Sequence, residues 1–319
     1  MRFGLIGLGQ MGRHHARVLS EAEGVEFVGA VDPSGDPHRA LRAGVLFEEV
    51  DELLEAGIDA AVVAVPTRQH HEVGIRLAEA GIATLIEKPV ADSVTRAKEL
   101  QAAFESNAVL GAVGHVERFN SALQEMKRRL VDGDLGRVIS ISTERVGPFP
   151  HRVQDVGVVK DLATHDIDIA AWIGGAPFAD VSGQLAHKMG RPHEDLVVAT
   201  GRLANDVVVS LNVNWLTPVK RRTVSVLGDK GSFVADLISA DLFFYSNAEV
   251  DSRWDQIAQL RGVSEGDMIR YAFPKREPLA VEHEAFRIAV AEGHAEGVVS
   301  LPEGVEILEV AERIIGAKS

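Results

Sequence analysis

The sequence contains no cysteine, which excludes a disulfide framework, thiolate metal sites and a cysteine nucleophile. Dehydrogenation through a thioester is excluded with them. Aromatic side chains are scarce, at 5% of the 319 residues, and give little material for an aromatic-lined tetrapyrrole pocket. Cations are outnumbered too: 33 Lys and Arg stand against 47 Asp and Glu, a formal net charge of −14. That balance repels nucleic acid and anionic membranes at long range. No apolar run approaches the ~20 residues that cross lipid, and no basic, apolar and small-residue segment precedes Arg2, so a cytoplasmic location is expected. What is present is 46% apolar and 25% charged, the balance of a globular chain of about two domains.

The first part of the chain alternates two patterns. Phe3 to Ile6, Val25 to Val31, Ala60 to Val65, Ala83 to Ile86 and Val109 to Val113 are apolar on successive positions, as buried parallel strands are. Between them, Met11 to Ser20, Asp51 to Ala56, His70 to Ala80 and Ser93 to Ser106 have helical spacing. The expected fold is a Rossmann-type doubly wound α/β sheet over residues 1–117, with ligands at the carboxyl ends of its strands. Residues 118–319 are expected to form an α+β domain with a mostly antiparallel open sheet. Its strands are Val181 to Leu185, Leu196 to Leu203, Val207 to Asn214, Thr223 to Leu227 and Ser232 to Asp236. Ser121 to Val131, Asp161 to Ile173, Ala280 to Glu292 and Glu303 to Ile315 read as helices, and Arg145 to Lys160 as a loop.

Gly7, Leu8, Gly9, Gln10, Met11 and Gly12 follow the first strand and open a helix, the context that a dinucleotide fingerprint requires. Gly7 allows the turn, Gly9 lets backbone approach a pyrophosphate, and Gly12 lets helix and strand pack closely. Asp32 ends the next strand, where a carboxylate accepts the adenosine ribose hydroxyls and opposes a 2′-phosphate. NAD is therefore the expected cofactor, with NADP left open by Ser34, His38 and Arg39 nearby.

Val65, Pro66, Thr67, Arg68, Gln69 and His70 leave one strand at the carboxyl edge, and Glu87, Lys88 and Pro89 leave the next. Together with the glycine turn, their order and spacing resemble the Gfo/Idh/MocA family, which includes glucose-fructose oxidoreductase and inositol 2-dehydrogenase. The resemblance spans nearly the whole chain. It implies a hydride transfer between a nicotinamide and a secondary hydroxyl of a carbohydrate or cyclitol. It also implies contacts of Pro66, Thr67, His70, Glu87 and Lys88 with the cofactor, and a cis bond before Pro89. Lys88 is then the residue beside nicotinamide and substrate, and Asp161 with His165 matches the family's second signature. By spacing alone, Asp161, His165 and Asp168 share a helix face beside Leu162, Ile169 and Ile173; an ordinary surface helix with Asp161 as N-cap has the same pattern.

The segment Gly114 to Asn120 resembles the version in family members that oxidise the third carbon of UDP-N-acetylglucosamine, which offers Arg118 and Asn120 to substrate; a structural salt link between domains is the alternative. Arg145 and Arg152 are expected to bind an anionic substrate from their loop. Among the 12 histidines, His14 with His15 and His70 with His71 point apart on helices, and no catalytic metal is expected. A homodimer or homotetramer is expected through the antiparallel sheet, because Val207, Val209, Leu211 and Val213 alternate with Val208, Ser210, Asn212 and Asn214. The competing reading is a dinucleotide-binding regulator without turnover, which has no need of the Lys88, Asp161 and His165 set.

Overall fold

The computed structural model describes residues 1–149, 156–248 and 265–316. Contacts gather the chain into two compact units, Met1–Phe119 with Glu277–Glu309, and Asn120–Arg276 with Val310–Ser319. The single division expected after residue 117 made no provision for the return of Glu277–Glu309.

In the first unit, β1 (Arg2–Ile6), β2 (Glu26–Val31), β3 (Val45–Phe47), β4 (Ala60–Val63), β5 (Ala83–Glu87) and β6 (Gly111–Gly114) lie in the order β6-β5-β4-β1-β2-β3, all parallel. The returning strand Val299–Ser300 adds antiparallel to β6. The connecting helices are α1 (Gly12–Glu21), α2 (Val50–Glu55), α3 (Thr67–Glu79) and α4 (Val94–Ser106). Strand order reverses between β1 and β4, so a crevice opens there at the carboxyl ends. The short β3 lay outside the expected strands, being three residues at the sheet edge.

The core explains the return of the chain. Phe3, Leu5, Val62, Leu85 and Ala112 of the sheet and Leu19 of α1 share one buried cluster with Phe286 and Ala289 of the helix Pro278–Glu292. The rings of Phe3 and Phe286 meet edge-on with centroids 6.0 Å apart, a favoured aromatic geometry. Full burial of such side chains contributes roughly 1.5 to 3 kcal/mol each, so this helix is bound by the same force that closes the sheet. Pro278 starts it, and Gly293 at φ 74° ends it in the left-handed conformation that lacks a penalty only for glycine.

The second unit contains α5 (Ser121–Val131), β7 (Val138–Pro148), a π-helical turn (Val159–Ala163) continuing into α6 (Thr164–Gly174), β8 (Phe178–Ala186), β9 (Leu196–Leu203), β10 (Val208–Asn214), β11 (Leu216–Gly228), β12 (Gly231–Asp236), β13 (Asp241–Asn247) and β14 (Glu265–Arg270). Its sheet runs β14-β13-β12-β11-β7-β10-β9-β8 and is antiparallel except for the parallel pair β7 and β10. One expectation is corrected here: Arg145 lies in β7 and not in a loop. Ile139, Ile141 and Thr143 alternate with polar residues, a strand signal that the loop reading passed over. On β10, Val209, Leu211 and Val213 are buried, and on the other face the hydroxyls of Ser142 and Ser210 are 2.8 Å apart. Among the described residues, no helix is long and apolar enough to cross a membrane.

Candidate active site

The glycine turn after β1 is built by steric necessity. Gly7 has φ 99°, and a Cβ there would lie 2.7 Å from the backbone of Ala64. A Cβ at Gly12 would lie 2.0 Å from the Gly7 carbonyl oxygen. Gly9 differs, because a Cβ there meets nothing within 4 Å among the described residues; the space it leaves among them is open. Gly9, Gln10 and Met11 are exposed, and the N-cap residue Met11 makes no side-chain capping bond to α1, whose first turn holds no acid. Such an end carries positive partial charge and amide donors for an anion. Asp32 follows β2, and its carboxylate accepts the Leu8 N–H at 2.8 Å and the Ser34 N–H at 2.8 Å. Each carboxylate oxygen keeps acceptor capacity after these bonds, so these residues fit an adenosine ribose and pyrophosphate.

Two loops border the same edge. Pro66 precedes α3 and Thr67 begins it, while Lys88, partly buried, follows β5 with a cis bond to Pro89. His70 ties these loops together: its Nδ1 lies 3.0 Å from the Pro89 carbonyl oxygen and its Nε2 2.9 Å from that of Val65. Burial pushes its pKa down, against the pull of these carbonyls and of Glu87. Its ring is therefore occupied by backbone, a strut between loops that the resemblance had assigned to the cofactor.

Glu87 also points inward. It is 6% exposed, and its Oε1 lies 2.9 Å from His15 Nε2 while Oε2 accepts the Lys88 N–H at 3.1 Å. His15 Nδ1 in turn lies 2.8 Å from His283 Nε2. Burial pushes the Glu87 carboxyl up, but the hydrogen bond from His15, with Lys88 and His70 nearby, outweighs it and holds the group below the ordinary carboxylate range. Sequence reading missed His15 and His283. The only sign was position, since His15 sits one turn after Gly12 on a helix whose inner side is otherwise apolar.

In the second unit, Asp161 lies in the π-helical turn and His165 in the first turn of α6. Asp161, His165 and Asp168 are all buried, at 9%, 9% and 0% exposure. This is a helix buried on most sides, not an ordinary surface helix, and Asp161 is not its N-cap. Glu194 does that work: its Oε1 accepts the Val159 N–H at 3.0 Å, and its carbonyl accepts the Val158 N–H at 3.0 Å. A Cβ on Gly157 would overlap that carboxylate at 2.0 Å. Neighbouring Asp166 accepts from Arg145 Nε at 2.8 Å, with both side chains nearly excluded from solvent.

Of the remaining expected contacts, Arg118 and Asn120 have structural partners. Arg118 donates to Glu303 Oε1 at 2.9 Å within the first unit. Asn120 caps α5 by accepting the Ala122 N–H at 3.1 Å and donates to the Leu237 carbonyl at 3.0 Å. Arg152 lies outside the described residues. Among the described residues, no group of three His, Asp or Glu side chains is arranged to hold a metal ion.

A doubly wound sheet with an open glycine turn at its switch point, an acid after β2 and a lysine after β5 defines a dinucleotide-dependent oxidoreductase. The profile described as "Oxidoreductase family, NAD-binding Rossmann fold" matches residues 1–115, and the GFO/IDH/MocA C-terminal domain matches residues 123–234. The chain belongs to the Gfo/Idh/MocA family. It is 28% identical over 294 residues to the UDP-N-acetylglucosamine 3-dehydrogenase of Acidithiobacillus ferrooxidans, covering 91% of this chain and 89% of that protein. A solved structure of that enzyme superposes with a TM-score of 0.84 at 26% identity, over 98% of this chain and 96% of the other. Inositol 2-dehydrogenase 2 of Saccharopolyspora erythraea is 30% identical over 243 residues, 72% of each chain.

Proposed function

We propose that this protein is a dehydrogenase that oxidises a secondary hydroxyl of a nucleotide sugar, with NAD as its cofactor. The observation that carries the reading is the pairing of the Gly7 to Gly12 turn with Asp32 and Lys88 at the strand ends of one sheet. The bound dinucleotide supplies the hydride acceptor. Lys88 donates a hydrogen bond to the reacting oxygen and stabilises negative charge as its proton leaves. His165 accepts that proton, for which an imidazole is suited, and Asp161 orients the histidine or the substrate. No covalent intermediate is required, in keeping with the absence of cysteine. The retention of Lys88, Asp161 and His165 favours turnover over a purely regulatory role.

The nucleotide sugar is favoured by a relative that matches 91% of this chain at 28% identity, the UDP-N-acetylglucosamine 3-dehydrogenase. A neutral inositol is the second reading, and one observation favours it: Arg145, expected to meet an anion, is already paired with Asp166. Purified protein is assayed for NAD and NADP reduction with UDP-N-acetylglucosamine, free sugars and inositols. The expected result is NAD reduction with the UDP-sugar, and a loss of preference for NAD over NADP in Asp32→Ser. Faster turnover of inositol than of any UDP-sugar overturns the nucleotide-sugar assignment, and no turnover with any of them overturns the dehydrogenase reading.

A further inference from the structure

The buried chain from Glu87 through His15 to His283 lies wholly within the first unit, and hydride transfer as proposed above makes no use of it. Its proton order follows from counting donors. His283 is 3% exposed, is kept uncharged chiefly by burial, and has no hydrogen-bond partner at Nδ1 among the described residues. If His283 carried its proton on Nδ1, that N–H would be buried without an acceptor. A buried polar group left so costs stability. The arrangement that satisfies every N–H has His283 Nε2 donating to His15 Nδ1, and His15 Nε2 donating to Glu87 Oε1. The Lys88 N–H completes the series at Oε2. All protons then point toward one carboxylate.

We propose that His15 is a positioning residue for Lys88. Its Nε2–H holds the Glu87 carboxylate charged and turned against the Lys88 peptide, so that the helix beginning at the glycine turn and the lysine at the end of β5 are joined through one buried hydrogen-bond chain. The groups acting on Glu87 are His15 from α1, His70 from α3 and the adjoining Lys88, with His283 behind His15 from the helix Pro278–Glu292. Burial by itself drives a carboxyl toward its neutral form. Removing the His15 donor leaves that force unopposed by its strongest partner, so Glu87 takes up a proton and its hold on the Lys88 peptide changes with pH.

The role assigned to Lys88 rests on the proposed function, so the primary readout is made without substrate or cofactor. Protein labelled with 15N-lysine is followed by NMR, and the Lys88 amide is identified by its loss in Lys88→Arg. In the wild type and in His15→Gln, whose amide replaces the Nε2 donor, the Lys88 signal is expected to stay constant from about pH 5 to 8. In His15→Leu it is expected to titrate within that range. Should His15→Leu fail to fold, His15→Asn, too short to reach Glu87, is read in the same way. With the substrate that turns over, kcat of His15→Leu should fall about 10-fold while the KM for NAD changes less than about 2-fold. A Lys88 signal in the folded variant that matches the wild type at every pH overturns the proposal. If the signal behaves as expected but no sugar or inositol is oxidised by the wild type, the coupling stands and the proposed function fails.

Discussion

Arg145 Nε and Asp166 Oδ2 are 2.8 Å apart with side chains 2% and 1% exposed, which makes them a buried ion pair between β7 and the helix that carries His165. Breaking such a pair leaves one charge uncompensated in a low-dielectric site, at a cost of about 3 to 5 kcal/mol. Asp166→Ala is expected to lower the unfolding free energy by that amount in urea titration. The double variant Arg145→Met with Asp166→Leu removes both charges and should recover most of the loss.

The glycines at the turn separate folding from binding. Gly12→Ala places a methyl 2.0 Å from a backbone oxygen and should lower Tm as well as abolish NADH binding. Gly9→Ala meets only open space, so it should melt within about 2 °C of the wild type, as surface changes of ±0.5 kcal/mol do. Its methyl would stand where the pyrophosphate must approach. NADH fluorescence titration is expected to show binding weakened at least about 10-fold.

For the reacting hydroxyl, His165→Asn is expected to lower kcat by about 10²- to 10⁴-fold while NADH still binds. Lys88→Met should lower it as much or more, because charge stabilisation and positioning are lost together. Nearly full activity in His165→Asn would pass the role of base to Lys88.

Stability should depend on pH through His70 and His283, both held below the ordinary histidine value, chiefly by burial. The fold keeps them neutral while the unfolded chain protonates them near pH ~6.5. Their contribution is thus complete above about pH 6.5 and is lost as pH falls below it, with a slope of at most ~1.4 kcal/mol per pH unit for each. Glu87, held low in the fold, contributes stability that is present above its unfolded value and lost only at more acid pH, below about 4.3. Urea titrations at pH 7.5 and 5.5 should therefore differ, and His283→Gln should reduce the difference.

The sheet of the second unit presents Val198, Val208 and Leu227 at 46%, 44% and 45% exposure, on strands β9, β10 and β11. Covering such apolar groups favours self-association, and light scattering at micromolar concentration is expected to give a dimer or tetramer. Val208→Glu should shift the mass toward the monomer. A monomer mass for the wild type would end this reading.

Sequence by itself determined the features whose cause is local. A backbone that bends at φ 99° at Gly7 or leaves no room for a methyl at Gly12 admits few residues besides glycine, so the turn could be read, and Asp32 and Lys88 fell at strand ends that apolar runs had already marked. The strand Val138–Pro148 was legible too, in its alternating β-branched residues, though Arg145 and the glycine and prolines after it suggested a loop. The tertiary structure alone decided what depends on distant partners. His15 meets Glu87 across 72 positions and His283 across 268, Glu194 caps a helix that begins 35 residues earlier, and Phe286 returns to the sheet that Phe3 begins. No local preference encodes these contacts, because a buried carboxylate, a neutral histidine or a half-apolar helix is stable only when the rest of the fold supplies its other half.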